Sequence, residues 1–205
     1  NRYQTIRRVI PFDDSPLAAK MLLDLSRSSG GVFKIFFSGG IVLLITWFLL
    51  GLAADIIGTQ PSTGLVYGSL LSLTTFTTYN WITQNDSADE YLFYPVSIAD
   101  IFRAKLRTFT LLTIPVGILF YGGVAAVEAG PLNELAVGAL AFVGLSIYLF
   151  GVTVSLAGFS PNEFLFDTVL FTLFTAAIIV VFVPIILVAF LVQPVTTFIL
   201  GVLTA

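Results

Sequence analysis

Apolar residues in this chain form long runs, and short polar segments separate one run from the next. A helix that crosses a membrane needs about 20 mainly apolar residues, so runs of this length predict membrane-spanning helices. Periodicity adds little, because a helix that faces lipid is apolar on every side. We predict about six spans, at residues 32–56, 63–83, 107–127, 132–157, 164–183 and 185–205.

The last apolar run leaves more than one arrangement open. It extends from residue 164 to residue 205 and contains Pro184 and the pair Gln193 and Pro194. Such a run can form two helices joined by a tight turn, because its length is about twice that of one span. It can also form one helix to about residue 191, followed by a re-entrant or truncated segment. We take two spans as the prediction.

The 31 residues before the first span are of mixed polarity. Ser15 and Pro16 are the residue types of an N-cap and of a first helical position. One face of the helix that follows carries Leu17, Met21, Leu22 and Leu25. We therefore predict a solvated cytoplasmic arm and then an amphipathic helix at the membrane interface, which Gly30 and Gly31 end.

Composition supports an all-α integral membrane protein with one membrane domain, residues 32–205. The chain is 57% hydrophobic and 10% charged, whereas soluble domains are about 25% charged. It contains neither Cys nor His, which removes thiol nucleophiles, imidazole bases and the commonest metal ligands. We expect that the chain is not an enzyme and binds no metal or cofactor itself.

Basic residues predict the orientation in the membrane. All nine Lys and Arg lie within residues 2–34 or at Arg103, Lys105 and Arg107, and two predicted spans separate the groups. Both groups therefore face the same side, which the positive-inside rule identifies as the cytoplasm. We predict a multi-pass protein of the plasma membrane with a cytoplasmic N-terminus.

Residues 84–106 form the main predicted cytoplasmic loop. Ser97 and Asp100 have the spacing of a helix start, and Pro95 prevents that helix from extending backward. Its predicted apolar face contains Ile98, Ile101, Phe102 and Leu106. Ahead of it, acidic residues are followed by the aromatic run "YLFY", a combination typical of a docking surface for another protein. The residues alone equally allow a solvated connector that contains an interfacial helix.

The segment "YPVSIADIFRAKL", between the second and third predicted spans, is similar to the permeases of ABC-2-type transporters. The stretches "SPLAAKMLLDLSRSS" and "SPNEFLFD" resemble the same family, and the similarity covers about residues 15–190. The resemblance implies the membrane subunit of an ATP-driven exporter that works by alternating access. In that family, this loop meets a separate ATPase subunit.

The resemblance and the docking pattern together assign roles in the loop. Residues expected to contact the ATPase are Asp89, Glu90, Tyr91, Phe93, Tyr94, Pro95, Ser97 and Asp100. Residues expected to anchor the next helix at the membrane surface are Arg103, Lys105 and Arg107.

The expected partners are an ABC ATPase, a second permease copy or half, and bilayer lipid, but no nucleic acid. ATP and Mg²⁺ are expected on the ATPase, because the phosphate-binding pattern GxxxxGK[ST] does not occur in this chain. The chain opens at Asn1 rather than Met, which suggests that it is one part of a longer permease.

Three groups of residues inside the spans each allow two interpretations. Ser72, Thr75 and Thr78 can line a translocation path or bond within the bundle. Small residues of the fourth span, at 144, 151 and 155, can pack within the monomer or between copies. Asp167 can be functional or can stabilise a helix N-terminus.

Two other functions remain open on the sequence alone. A secondary transporter or channel is one, and the Thr-rich second span keeps it open. A membrane scaffold that recruits a partner without transport is the other.

Overall fold

Helices form nearly all of the described part of the chain. The computed structural model describes residues 16–58, 61–84, 91, 96–128, 132–159 and 166–204, with the backbone alone at residues 57, 128 and 192–204. In chain order the helices are α1 Pro16–Arg27, α2 Phe33–Ile57, α3 Thr63–Ser72, α4 Thr74–Thr83, α5 Ile98–Glu128, α6 Leu132–Ala157 and α7 Thr168–Thr204.

The described chain is all-α, as predicted, and four of its helices are long and apolar enough to cross a membrane, where about six spans were predicted. They are Phe33–Ile56, Ile98–Val127, Leu132–Ala157 and Thr168–Leu191. The first and fourth predicted spans coincide with α2 and α6 to within one residue. Lipid-exposed helices require apolar side chains along their whole length, so their limits are easily read from the sequence.

The second predicted span is divided into two ten-residue helices, α3 and α4, which meet at Leu73. The Leu73 amide donates to the Leu70 carbonyl, and the Phe76 amide donates to the Leu73 carbonyl. These hydrogen bonds have the i to i+3 spacing of a 3₁₀ turn, which is tighter than an α-helix. Leucine is a good helix former, so the sequence does not mark this break.

The divided span lies at the centre of the bundle. Helix α3 packs against α2, α5, α6 and α7, and α4 packs against α1, α2, α5 and α6. The closest contact joins α3 to α6, where a Cβ atom at Gly64, Gly68 or Gly138 would overlap the backbone of the facing helix. Glycines allow two helix backbones to approach closely in membranes. The spacing of Gly64 and Gly68 was the available sequence signal for this contact.

Helix α5 joins part of the predicted loop to the third span. Its 31 residues extend about 46 Å, whereas the hydrocarbon core of a bilayer is about 30 Å thick. The same helix therefore holds both the charged residues of the predicted loop and the third span. The predicted start next to Ser97 is confirmed, but the predicted apolar face is only partly buried. Ile101 is buried, whereas Ile98 and Leu106 are exposed.

Helix α7 replaces the two spans predicted at residues 164–183 and 185–205. It continues through Pro184 and Pro194 as one helix of 37 residues. Prolines are tolerated in membrane helices because neighbouring groups and local adjustments satisfy the backbone groups that they free. The Ala189 carbonyl accepts a 2.7 Å hydrogen bond from the Ser62 amide, which ties α7 to the start of α3.

The fold distinguishes between the two interpretations given for Asp167 and for the small residues of α6. The Asp167 carboxylate accepts hydrogen bonds from the amides of Val169 at 2.9 Å and Leu170 at 3.0 Å, so it caps α7. A Cβ atom at Gly144 or Gly151 would meet no heavy atom within 4 Å. Of the two interpretations, close packing at Gly144 and Gly151 within the monomer is not seen, because this face is open. The preceding residues 160–165, which begin the stretch "SPNEFLFD", lie outside the described residues.

Candidate functional site

Helix α1 packs onto the end of the bundle where α4 finishes and α5 begins, which we call the basal end. Met21 and Leu25 of α1 share an apolar cluster with Tyr79 of α4 and Ile101 of α5. The Thr108 hydroxyl lies 3.8 Å from the Met21 sulfur. The apolar face of α1 is therefore covered by protein. Through this face α1 holds α4 and α5 together at the basal end.

Ser97 and Asp100 form the predicted cap at the start of α5. The Ser97 hydroxyl donates to the Asp100 carboxylate at 2.6 Å, and the Asp100 amide donates to the Ser97 hydroxyl at 3.1 Å. The Arg103 guanidinium donates to the same carboxylate at 3.1 Å. This exposed cap fixes where α5 begins.

Lys105 is fully buried at the basal end, with 0% of its surface exposed. Its ammonium nitrogen lies 4.5 Å from the ring centroid of Phe159, 5.5 Å from that of Tyr79 and 5.8 Å from that of Phe102. Aromatic faces attract cations, and the attraction is stronger where water is excluded. The predicted contact of Lys105 with the membrane surface is corrected, because the whole side chain lies inside the protein.

Phe159, just after α6, joins the parts of this aromatic cluster. Its ring centroid lies 5.3 Å from that of Phe102 and 5.7 Å from that of Tyr91. The Tyr79 hydroxyl donates a hydrogen bond to the carbonyl of the adjacent Gly158. We call Lys105 with Tyr79, Tyr91, Phe102 and Phe159 the lysine cage. It connects the end of α6 to α4 and α5.

Tyr91 is part of the lysine cage rather than a side chain presented to solution. It is 7% exposed, and the Lys20 ammonium nitrogen of α1 lies 5.5 Å from its ring centroid. The predicted docking role of the Tyr91 side chain is therefore corrected, because its ring packs inward.

The other predicted loop residues fall into two groups. Ser97, Asp100 and Arg103 are exposed at the start of α5, and Arg107 is partly buried. The remaining predicted ATPase contacts lie outside the described residues: Asp89, Glu90, Phe93, Tyr94 and Pro95. For these two groups, contact with an ATPase or with the membrane surface stays a prediction.

The predicted path residues of the second span are all buried but have different hydrogen bonds. The Ser72 hydroxyl donates to the Ser69 carbonyl at 2.5 Å, so it bonds within its own helix. The hydroxyls of Thr75 and Thr78 have no hydrogen-bond partner within the described part of the chain. Ser72 is therefore hydrogen-bonded within its own helix, whereas Thr75 and Thr78 are not.

Sequence reasoning missed the lysine cage, although one local signal was present. Ile101, Ala104, Lys105 and Thr108 are all buried on α5, at spacings that place them on one helical face. A lysine on a face otherwise formed by apolar and small residues can indicate burial. Its aromatic partners come from distant parts of the chain, so local spacing does not identify them.

Comparisons with known proteins identify no relative of this chain. No protein-family model matches it, and no curated protein or solved structure matches it at the level taken as significant.

Proposed function

We propose that this chain is the membrane subunit of an ATP-driven exporter, and that a separate ATPase acts on its basal end. One observation carries the proposal: α1 and the lysine cage link α4, α5 and the end of α6 at the basal end. The segment between Thr83 and Ser97 connects α4 to α5 at this same end. A force applied to that segment therefore acts on several helices together.

The break at Leu73 gives this linked basal end a place to bend. Below the break, α4 belongs to the basal end, whereas above it α3 packs tightly on α6 through Gly64, Gly68 and Gly138. Hinges in proteins are a few residues at the ends of elements that absorb changes in backbone angles. We propose that bending at Leu73 alternates access between the two sides of the membrane.

A cross-linking experiment tests whether an ATPase binds at the basal end. Because the chain has no Cys, Ser97→Cys carries a single photoactivatable cross-linker. Asp55→Cys, in the last turn of α2 away from the basal end, is the matched control. We expect light to join Ser97→Cys, but not Asp55→Cys, to a protein that contains a phosphate-binding loop. Equal cross-linking from both positions would contradict a basal docking site.

A secondary transporter is the second candidate, and the divided span is the observation that favours it. Secondary transporters commonly bind their substrates between half-helices near the middle of the membrane. Helices α3 and α4 meet halfway along the second predicted span, with buried hydroxyls on both sides of Leu73. Transport by purified protein in sealed vesicles, driven by an ion gradient without ATP, would favour this candidate over the exporter subunit.

A further inference from the structure

Five buried hydroxyl groups have no hydrogen-bond partner within the described ranges. They belong to Ser69 of α3, Thr75 and Thr78 of α4, Thr113 of α5 and Ser146 of α6. Each of these residues is at most 4% exposed. An unsatisfied buried hydroxyl destabilises the folded state, so native proteins contain few of them and each calls for an explanation.

Two of these hydroxyl-bearing residues line the same narrow cavity. Thr78 and Thr113 border a space of about 200 Å³, together with Ile35 and Phe142, and this space does not admit a sphere the size of water. Thr75 lies about one helical turn from Thr78, and Ser146 about one turn from Phe142. Thr78 and Thr113 therefore border this narrow cavity, and Thr75 and Ser146 lie within about one helical turn of residues that line it.

The local acceptors of Thr75 and Thr78 are already in use. A threonine in a helix commonly donates to the carbonyl four residues earlier, which is Leu71 for Thr75 and Thr74 for Thr78. The Leu71 carbonyl accepts the Thr74 hydroxyl at 2.8 Å, and the Thr74 carbonyl accepts the Thr77 hydroxyl at 2.8 Å. Thr75 and Thr78 thus keep their hydrogen-bonding capacity for another partner.

The charges of the surrounding helices limit what this partner can be. Residues 63–83, 108–127 and 135–157 contain no Asp, Glu, Lys or Arg. An ion at this depth would have no opposite charge from these segments, and burying an uncompensated charge in a membrane is costly. Hydroxyls can both donate to and accept from neutral polar groups.

We propose that this cavity is the closed form of a cargo site that binds a neutral group carrying hydroxyls or amides. The site opens along the break at Leu73, and Thr75, Thr78, Thr113 and Ser146 supply its hydrogen bonds. This inference rests on the proposed transport function, since only a protein that opens to both sides would need such a site. It deepens that function by assigning the chemical class of the cargo.

Single-cysteine labelling tests the site in the full chain, reconstituted in lipid vesicles. Thr78→Cys and Thr113→Cys report on the cavity, and Leu149→Cys, at a position that is 0% exposed among apolar residues, is the buried control. Ser97→Cys is the exposed control. Each variant is treated with two thiosulfonate reagents of similar size, one neutral and polar and one carrying an ammonium group.

We expect the neutral reagent to modify the two cavity cysteines at least about tenfold faster than it modifies Leu149→Cys. We expect the charged reagent to react more slowly than the neutral reagent at the cavity cysteines, but at a similar rate at Ser97→Cys. Cavity cysteines that react no faster than Leu149→Cys would overturn the site. Equal rates for both reagents at the cavity would overturn its neutral specificity.

Hydrogen exchange on the unsubstituted protein keeps the proposal testable if the variants do not fold. We expect faster amide exchange at residues 73–78 than at residues 145–149, because opening begins at the break. Equal protection of the two segments would contradict the proposal. Neither measurement uses the ATPase, so the absence of an ATPase partner would remove the exporter assignment while leaving the site intact.

Discussion

The ammonium group of Lys105 is the only side-chain cation that the described part of the structure buries completely. Three aromatic rings within 6 Å of this nitrogen offset part of the cost of removing it from water. The same rings come from α4, from α5 and from the residue after the turn at Gly158. A single side chain therefore links three segments that are far apart in the sequence.

Replacing Lys105 should destabilise the protein far more than replacing its neighbour Arg103. Lys105→Ala removes a buried cation and leaves a cavity, so we expect a loss of about 2 kcal/mol or more in the free energy of unfolding. Arg103 has a side chain that is 70% exposed, and Arg103→Ala should change stability by no more than about 0.5 kcal/mol. Denaturant unfolding in detergent compares the variants, and equal losses would show that the cage contributes little.

Some contacts of individual residues at the basal end were predictable from the sequence, and others were not. The cap formed by Ser97 and Asp100 was predictable, because both partners lie within one helical turn. The burial of Lys105 and Tyr91 was not, since it depends on Phe159, a residue more than 50 positions from either. Charge and aromatic character suggested exposure at these two positions, and tertiary packing determined the opposite.

At the scale of elements, the contact between α3 and α6 depends on three glycines. Gly68 and Gly138 lie so close that an added Cβ atom would overlap the facing backbone. The two helices would have to separate to accept a side chain there. By contrast, Gly144 lies on the open face of the same helix α6.

Alanine substitution at these glycines gives a matched pair of variants. Gly68→Ala should lower the free energy of unfolding by about 1–3 kcal/mol, because it overpacks the contact. Gly144→Ala should leave stability unchanged or raise it by up to about 1 kcal/mol, since alanine favours helix over glycine. Thermal unfolding in the same detergent measures both. A larger loss for Gly144→Ala than for Gly68→Ala would contradict the assigned packing.

The ends of a helix could be predicted from the sequence where apolar residues give way to polar ones. Helices α2 and α6 end where polar residues begin, so both were predicted closely. The break at Leu73 was not predicted, and the continuation of α7 through Pro184 was one of two arrangements that the sequence left open. At both places local propensity favours the opposite outcome.

At the scale of the whole molecule, the two ends of the bundle differ in chemistry. The basal end carries α1, the lysine cage and the exposed cap of Ser97 and Asp100. From residue 108 onward the chain has no Lys or Arg. A partner that contacts exposed basic side chains, such as that of Arg103, therefore finds them at the basal end.

The most direct test of the exporter account is to purify the chain gently from its native membrane and identify its partners by mass spectrometry. We predict a stoichiometric partner with a phosphate-binding loop. We also predict that Asp89→Lys combined with Glu90→Lys releases this partner, while the variant still inserts into the membrane. Recovery of the chain alone, or only with copies of itself, would contradict the account and favour a secondary transporter, a channel or a scaffold.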